Sequence, residues 1–361
     1  MTATLSILRA GPAMTIQDLG RPFHVAKGLS TGGAADRIAL FEAAALLNAQ
    51  TVLPAIEMMG LGGTFRTNAP LRFALTGAKM RVTLDDTVLA WNRTHTMQAG
   101  QILTIGAVEN GSYGYLTPAA PIACDSWLAS QSTHLLAGIG RILETGDAIA
   151  LGVDSDPGRV DHKITPSDRF SGGTIRMVAG PQTDLFSHQT QTRFYATQFI
   201  RSPQANRQGV KLDAADTFAP ETPKGLASDF IQTGDIQMTG EGVPYVLLSE
   251  CQTIGGYPRI GTVIPLDLAK IAQAPIGSRL QFETISLEDA DTLCHSDAML
   301  LGAQRRSVTP CICDPRDIPD LLAYQLISGM ISGTEFDEDS YDEIHRSKRR
   351  HGRELWPMVY G

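Results

Sequence analysis

Short runs that alternate between apolar and polar residues follow one another along the chain from residue 71 onward. Residues 71–78 (LRFALTGA), 79–84 (KMRVTL), 85–91 (DDTVLAW) and 100–107 (GQILTIGA) are separated by glycine or Asp-Asp turns. Strict alternation, as in RVTL and QILTI, is typical of strands with one buried face. The pattern therefore predicts a mainly-β fold built of short strands.

A turn glycine followed by an alternating strand recurs four times, at Gly100, Gly146, Gly234 and Gly277. The first two glycines lie 46 residues apart and the second two lie 43 residues apart. This near-equality predicts two related β domains in tandem, with a seam near residues 166–174 (PSDRFSGGT). Chance similarity between short stretches is the alternative.

We expect three parts: a first β domain at residues 1–168, a second at 169–290 and a partly helical C-terminal extension at 291–361. Within the extension, residues 336–343 (FDEDSYDE) are acidic and residues 346–353 (RSKRRHGR) are basic. A solvated tail is one interpretation of these charge runs. A self-complementary contact within a homo-oligomer is the alternative.

Three stretches have the apolar spacing of helices: residues 35–48, 265–274 and 317–330. Asp36 lies near the start of the first, where a negative charge is favourable to the helix dipole. Pro265 occupies a first helical position in the second, where its missing N–H is not needed. Helices are therefore expected to be few and to connect β segments.

Acidic residues outnumber basic ones by 38 to 30, so the chain lacks the positive surface of a nucleic-acid-binding protein. No apolar run approaches the length of a membrane span, and the N-terminal stretch MTATLSILRAG lacks the features of a signal peptide. Five cysteines at irregular positions suit a reducing compartment better than a disulfide framework. We predict a cytoplasmic protein that binds neither nucleic acid nor membrane.

The common nucleotide and hydrolase motifs are absent: there is no Walker A loop, no GxGxxG after a strand, no HExxH and no GxSxG. Cys294 and His295 could be combined with Cys311 and Cys313 into a zinc site. Their spacing matches no common ligand pattern, and a C-x-C pair strains a shared tetrahedral site. No metal is predicted in this chain.

Residues 14–22 (MTIQDLGRP) place an amide, a carboxylate and a guanidinium together around a turn. Gln17 and Asp18 precede Gly20, and Arg21 follows it. One interpretation is a ligand site, and the alternative is a turn held by an Asp18–Arg21 ion pair.

The second half of the chain has similar combinations of amide, charged and glycine residues in residues 206–209 (NRQG) and 235–237 (DIQ). Residues 251–259 (CQTIGGYPR) then follow an apolar strand-like run, and their two glycines can aim backbone N–H groups at a ligand. Tyr257 would form a wall of such a site, with Pro258 fixing the turn. A packed β-turn without a ligand is the alternative.

Together these motifs resemble, in order and spacing, the family that includes the second subunit of allophanate hydrolase. The C subunit of bacterial 5-oxoprolinase, the carboxyltransferase subdomains of biotin-dependent urea carboxylase and a sporulation-kinase-inhibitor antagonist belong to the same family. The resemblance runs from about Gly11 to Phe282. Its carriers are TIQDLGRP, STGGAAD, LLNAQ with AIEMMGLGGTF, LTGA, GRILETGD, GDIQ and QTIGGYP. The resemblance implies two tandem cyclophilin-like β-barrel domains.

The family's reactions act on an amide, lactam or urea group, so the resemblance implies a site with donors for a carbonyl oxygen and an acceptor for N–H. Asp18 and Arg207 are the candidate catalytic residues, with Asp18 orienting Arg21 or acting as a base. Replacing Arg207 with alanine is expected to abolish activity while leaving the fold intact. The candidate substrate-binding residues are Gln17, Arg21, Gln237, Gln252, Gly255, Gly256 and Tyr257.

The resemblance also implies cofactors and partners. ATP would act through an assembled complex, and carboxybiotin would serve in a carboxyltransferase. The expected partners are a smaller related subunit, a third, lamB-type subunit and a small amide-type metabolite. The chain alone is expected to be inactive.

Several positions depart from the family pattern, among them residues 119–122 (AAPI) and Glu250, which stands where an aspartate is usual. Asn206 stands where an aspartate is usual, and Lys211 and Gln131 each stand where an arginine is usual. Loss of arginine removes bidentate geometry, which favours altered substrate choice or a weakened site. Two alternatives to an enzyme subunit therefore stay open: a degenerate paralogue without turnover and a regulatory binding protein that antagonises a kinase inhibitor.

Overall fold

The computed structural model describes residues 3–158, 161–221 and 226–311. Twenty strands lie within these ranges: β1 (Ala3–Arg9), β2 (Met14–Gln17), β3 (Ala55–Met59), β4 (Thr64–Thr67), β5 (Leu71–Leu84), β6 (Thr87–Val88), β7 (Arg93–Met97), β8 (Ile102–Pro118), β9 (Ala148–Leu151), β10 (His162–Ile164), β11 (Gly173–Val178), β12 (Phe199–Ala205), β13 (Gly209–Asp213), β14 (Asp229–Phe230), β15 (Asp235–Met238), β16 (Pro244–Leu247), β17 (Ile254–Gly255), β18 (Arg259–Val263), β19 (Arg279–Thr284) and β20 (Val308–Pro310). Five α-helices lie there too: α1 (Arg37–Leu46), α2 (His188–Ala196), α3 (Pro265–Gln273), α4 (Leu287–Leu293) and α5 (Asp297–Ser307).

The strands form two large groups. Eleven strands make one sheet in the order β20-β10-β7-β5-β8-β4-β1-β9, with β3 pairing to β2 and β8, and β6 pairing to β5. Seven strands close into a barrel in the order β11-β18-β15-β16-β13-β12-β19, and β14 and β17 form a separate two-stranded ribbon. The predicted mainly-β fold class is confirmed. Among the described residues no helix is long and apolar enough to cross a membrane.

The four turn glycines behave as the repeat predicts. Gly100, Gly146, Gly234 and Gly277 all have φ between +84° and +99°. Each lies one or two residues before a strand: β8 and β9 in the sheet, and β15 and β19 in the barrel. Since L-residues rarely adopt this backbone conformation, glycine is required at all four turns.

One turn is repeated in detail between the sheet and the barrel. The sequences Glu-Thr-Gly-Asp and Gln-Thr-Gly-Asp end at Asp147 and Asp235, respectively. In each, the aspartate carboxylate accepts the backbone N–H of the residue three positions earlier, at 2.7 Å and 3.0 Å. The repeated geometry agrees with a tandem duplication, while the division at residues 168 and 290 remains a prediction.

The strand boundaries around residue 77 differ from the prediction. Residues 71–84 form the single strand β5 instead of two strands separated by a turn. Gly77 has φ +74°, and the register with β8 shifts between Gly77 and Lys79. A Cβ at Gly77 would lie 2.6 Å from the carbonyl oxygen of Tyr113. The glycine therefore marks a bulge and a close approach to β8, not a turn.

Two of the predicted helices are confirmed. Asp36 is the N-cap of α1, and its carboxylate accepts the backbone N–H of Ala39 at 3.2 Å. Pro265 is the first residue of α3, with Asp267 in the first turn. The third predicted helix, at residues 317–330, lies outside the described residues.

The sheet and the barrel share one apolar core. Phe194, Phe199 and Phe282 fill the barrel. The same cluster contains Leu40 of α1 and Tyr115 of β8, which belong to the first half of the chain. The two halves are therefore packed directly against each other, and their polar side chains meet at the edge of this core.

The chain returns to the sheet after the barrel is complete. Helix α5 packs on α1, and β20 pairs with β10 through residues such as Lys163 and Thr309. The last described residues thus form an edge strand of the first sheet.

Candidate functional site

The first motif of the sequence braces one segment of the first half, residues 130–133. Gln17 donates from Nε2 to the carbonyl of the last residue of this segment, at 3.1 Å, and Arg21 donates to the preceding carbonyl. Asp18 accepts the hydroxyl of the first residue at 2.6 Å and the N–H of the second at 2.7 Å. Three predicted site residues therefore converge on the same four-residue segment.

The ion pair offered as the alternative explanation of this motif is not found among the described residues. The remaining contact of the Asp18 carboxylate is the backbone N–H of Gly20 at 2.8 Å. Arg21 donates instead to the backbone carbonyls of Trp127 and Ser132. The motif is therefore a long-range brace and not a turn closed on itself.

Two polar atoms of this brace have no hydrogen-bond partner within the described ranges. Oε1 of Gln17 and Nη1 of Arg21 are both buried and unpaired. Buried polar atoms are paired in the great majority of cases, so each of these two unpaired atoms needs an explanation. Burial also lowers the pKa of Arg21 from its ordinary value, although Asp18 and Glu250 oppose this effect.

The braced segment lines a cavity of about 890 Å³ on the first half of the chain. Residues 137–143 and β9 supply the other walls. Its charged lining residues are Asp125, Arg141 and Asp147. Arg141 is held by Asp147 through two contacts of 2.7 Å, so the guanidinium already has a carboxylate partner.

Two glycine loops meet behind this segment. Gly20 and Gly33 have φ of +84° and +81°, and a Cβ on Gly33 would lie 2.6 Å from the backbone nitrogen of Gly20. The loops can approach this closely only because both residues lack side chains.

We expect Gly33→Ala to destabilise the protein by about 1–3 kcal/mol more than Gly60→Ala, because overpacking adds to backbone strain. Gly60 is a matched control, since its φ is +72° and a Cβ there meets nothing within 4 Å. Urea unfolding of both variants measures the difference. Equal losses would contradict the close approach of the two loops.

Arg207 joins the two halves of the chain. Its guanidinium contacts the carboxylate of Glu57 in β3 and the carboxylate of Glu250, which follows β16. It also donates to the carbonyl of Gly33 and, at 3.3 Å, to the hydroxyl of Ser249. Burial alone would lower the pKa of Arg207, but the two carboxylates raise it above its ordinary value.

The donors of Arg207 are therefore occupied by protein groups. The sequence predicted Arg207 as a catalytic residue, whereas the structure uses its guanidinium to connect Glu57 with Glu250. A direct contact between Arg207 and a substrate remains a prediction. Its structural role as an interdomain link is visible in the contacts themselves.

Glu250 extends the connection toward the large cavity. Its carboxylate accepts the backbone N–H groups of Leu135 and Leu136, at 3.0 Å and 3.4 Å. Nδ1 of His134 lies 4.0 Å from the same carboxylate and accepts the N–H of Ala137. Nε2 therefore carries the proton of the neutral ring and donates to the hydroxyl of Ser30 at 2.9 Å. Burial lowers the pKa of His134, which favours this neutral form.

The second group of predicted residues lies on and around the β14–β17 ribbon, except Gln237, which belongs to β15 of the barrel. Gly255 pairs with Asp229, and a Cβ on Gly255 would lie 3.0 Å from Nε2 of Gln237. Gln252, Gly256 and Tyr257 are exposed. No hydrogen bond or ion pair of the described residues joins Tyr257 to Arg21 or Arg207, so one shared cleft for both groups remains a prediction.

The departures from the family pattern have local explanations. Oδ1 of Asn206 accepts the backbone N–H groups of Gln208 and Gly209, at 2.8 Å and 3.3 Å. An aspartate could accept the same two bonds, so asparagine preserves the turn. Lys211 pairs with Asp213 at 3.1 Å. Nε2 of Gln131 donates to two backbone carbonyls beside the large cavity.

No metal-binding group of histidine, cysteine and carboxylate side chains occurs within the described ranges. Cys124, Cys251, Cys294 and Cys311 are free thiols. Cys313, the fourth residue of the zinc site considered from the sequence, lies outside those ranges.

The sheet and barrel, joined through a buried arginine–carboxylate network, define a protein of two β subdomains with a common polar interface. The sequence model of the family described as "Carboxyltransferase domain, subdomain A and B" matches residues 27–284. The chain belongs to this carboxyltransferase domain family.

Among curated proteins the chain is similar to the 5-oxoprolinase C subunit of Escherichia coli, with 33% identity over 79% of this chain and 93% of the relative. It is 32% identical to the 5-oxoprolinase C subunit of Haemophilus influenzae, over 84% of this chain and 98% of the relative. Among solved structures, the Kluyveromyces lactis urea amidolyase matches with a TM-score of 0.73 and 22% identity, over 86% of this chain and 21% of the amidolyase. The last similarity concerns the fold alone.

Proposed function

We propose that this chain is one subunit of a multi-subunit enzyme that opens the C–N bond of a cyclic amide, with 5-oxoproline as the substrate. The relatives that it matches over more than nine-tenths of their length bear the name of the 5-oxoprolinase C subunit. In such a reaction the oxygen of water adds to the lactam carbonyl carbon. The C–N bond breaks, the nitrogen takes a proton, and the product is glutamate.

The observation that carries the proposal is that the two side chains bracing the wall of the large cavity each keep one buried, unpaired polar atom. An amide presents one carbonyl acceptor and one N–H donor. Nη1 of Arg21 is an unpaired donor, and Oε1 of Gln17 is an unpaired acceptor. Both side chains bond the carbonyls of residues 132–133, which line the cavity. A donor aimed at an oxygen that gains charge is the usual means of stabilising acyl-transfer transition states.

ATP is expected to bind elsewhere in the complex. The cavity lining contains two carboxylates and one guanidinium, and that guanidinium is already held by Asp147. With two carboxylates against one guanidinium, such a lining does not favour a triphosphate, which needs several cationic or backbone N–H donors. The same lining residues do not define a binding site for carboxybiotin. No step of the proposed reaction is therefore assigned to either group in this chain.

Exposed apolar side chains around the cavity support dependence on a partner subunit. Trp127, Leu128 and Leu136 are 51%, 40% and 51% exposed on loops beside the cavity. Leu128 and Ala129 also have φ of +50° and +61°, which is strained for residues other than glycine. A partner that covers these loops would bury the apolar side chains and exclude water from the cavity.

The test is the activity of the complex assembled with the products of the neighbouring reading frames. We expect ATP-dependent conversion of 5-oxoproline to glutamate by the complex and none by the chain alone. Gln17→Met is expected to lower kcat by about 10²–10³, because the acceptor for the lactam N–H is lost. Turnover by the isolated chain, or an inactive complete complex, would refute the proposal.

Gln191→Met is the matched control. Nε2 of Gln191, like Nε2 of Gln17, donates to two acceptors, but Gln191 lies in the barrel half and its acceptors are the carbonyls of Thr183 and Phe186. Its kcat should equal that of the wild type, and thermal unfolding should show that both variants remain folded. Normal kcat in folded Gln17→Met would remove Gln17 from the site.

A further inference from the structure

A second cavity, of about 270 Å³, lies where the first half, the barrel and the last two helices meet. Its walls come from the 31–38 segment without Gly33 and Asp36, from barrel residues such as Leu248, from the start of α3, and from α4 and α5. Helices α4 and α5 lie beyond residue 284, where the match to the family model ends. This cavity is lined by none of the residues that we place in the proposed lactam site.

The lining combines an apolar body with one permanent charge. Ile38, Leu266 and Leu293 are among the apolar lining residues, and no aspartate or glutamate among the described residues lines the cavity. In the part of the chain that the structure describes, Arg37 is the one lining residue with a permanent charge. His295, between α4 and α5, also lines the cavity. An apolar pocket with a single cationic group is complementary to a small apolar molecule that carries one anionic group.

Arg37 keeps donors for such a group. Its only described hydrogen bond runs from Nη2 to Asp297 at 3.1 Å, and the side chains of the pair are about half exposed, at 48% and 55%. An exposed pair of this kind contributes little to stability. The planar guanidinium has five N–H donors, so it can bind a second carboxylate without giving up Asp297.

We propose that this cavity binds a small monocarboxylate with an apolar body of about six to ten heavy atoms, held by Arg37. The carboxylate contacts the Arg37 guanidinium, and the apolar body lies between α3 and α4. Ser249 and Gly32 form the inner wall, where Gly32 donates to the carbonyl of Ser249 at 2.9 Å. A bound ligand therefore touches all three parts of the structure and stabilises their packing.

The probe pair that tests this proposal is phenylacetate and phenylacetamide, which have the same shape and differ in charge. Calorimetric titration of the full chain should give saturable binding of phenylacetate with Kd on the order of 1 mM or below. Phenylacetamide should bind about tenfold more weakly, because the charge-assisted contact is lost. Arg37→Gln should weaken phenylacetate about tenfold and leave phenylacetamide unchanged. The thermal unfolding temperature should rise with phenylacetate concentration.

A variant that fills the cavity distinguishes binding in the cavity from binding at the protein surface. Ala290 in α4 lines the cavity, so Ala290→Phe should abolish binding of both probes. Ala298 in α5 is exposed and does not line it, so Ala298→Phe should bind both probes normally. No saturable binding, equal affinity for the two probes, or binding that survives Ala290→Phe would each overturn the proposal.

Discussion

Arg207→Leu should reduce the free energy of unfolding by about 3–5 kcal/mol, because it leaves two buried carboxylates without their common cation. Glu57 and Glu250 are both fully buried and each contacts the Arg207 guanidinium. Urea unfolding of the isolated chain measures the loss. The sequence alone predicted that a substitution at Arg207 would leave the fold intact, and these contacts reverse that expectation.

A variant in which all three charged side chains are replaced by neutral ones distinguishes the loss of ion pairing from the loss of packing. The triple variant Glu57→Gln, Arg207→Met, Glu250→Gln removes all three charges while keeping side chains of similar size. Because the cost of the single variant comes from uncompensated buried charge, the triple variant should recover most of the lost stability. A triple variant as unstable as Arg207→Leu would instead assign the loss to packing.

Arg169→Met should have an effect of the same size, about 3–5 kcal/mol, for the same physical reason. Arg169 lies between β10 and β11 and bonds Asp36 at 2.7 Å and both oxygens of Glu42 at 2.7 Å and 2.8 Å. All three side chains are almost completely buried. Arg141→Met is the control, since Arg141 holds Asp147 at the same distance while 62% exposed, and its loss should be nearly neutral.

The loss in Arg169→Met should also depend on pH. Burial raises the pKa of Glu42, and Arg169 opposes that effect. Without Arg169 the pKa in the folded state rises further above the unfolded value, so folding takes up a proton. The deficit relative to wild type should therefore shrink as pH falls from about 8 to about 5. A deficit that is constant over this range would show that the carboxyls do not sense the arginine.

Local patterns in the sequence were sufficient for the class of fold. The alternation of apolar and polar residues predicted strands. Gly100 and Gly234 predicted the turns that precede two of these strands, because a positive φ is a local requirement. The same rule failed at Gly77, where the glycine serves a bulge and contact with β8. Whether a glycine forms a turn between two strands or a bulge within one strand depends on the residues that contact it in space, and these are not evident from the local sequence. Closure of the barrel through the parallel pair β11–β19 is likewise non-local.

The sequence identified polar residue types at the candidate site, but it did not identify the residues that they contact. Gln17, Asp18 and Arg21 were recognised as a polar turn, yet their partners lie more than 100 residues away along the chain. Glu57 was missed as a site residue although it lies within a motif that was recognised. The available signal was a carboxylate inside the otherwise apolar strand β3, which is costly to bury unless a cation meets it. The cation, Arg207, is 150 residues distant.

The pairing of β20 with β10 makes the first half of the molecule discontinuous in sequence. Its polypeptide leaves to build the barrel, comes back with α5 on α1, and rejoins the sheet only at residues 308–310. A fragment ending at the barrel would expose the outer edge of β10, and unpaired strand edges promote association between chains. Any excised version intended to report on the large cavity must therefore supply that closing strand, in cis or as an added peptide.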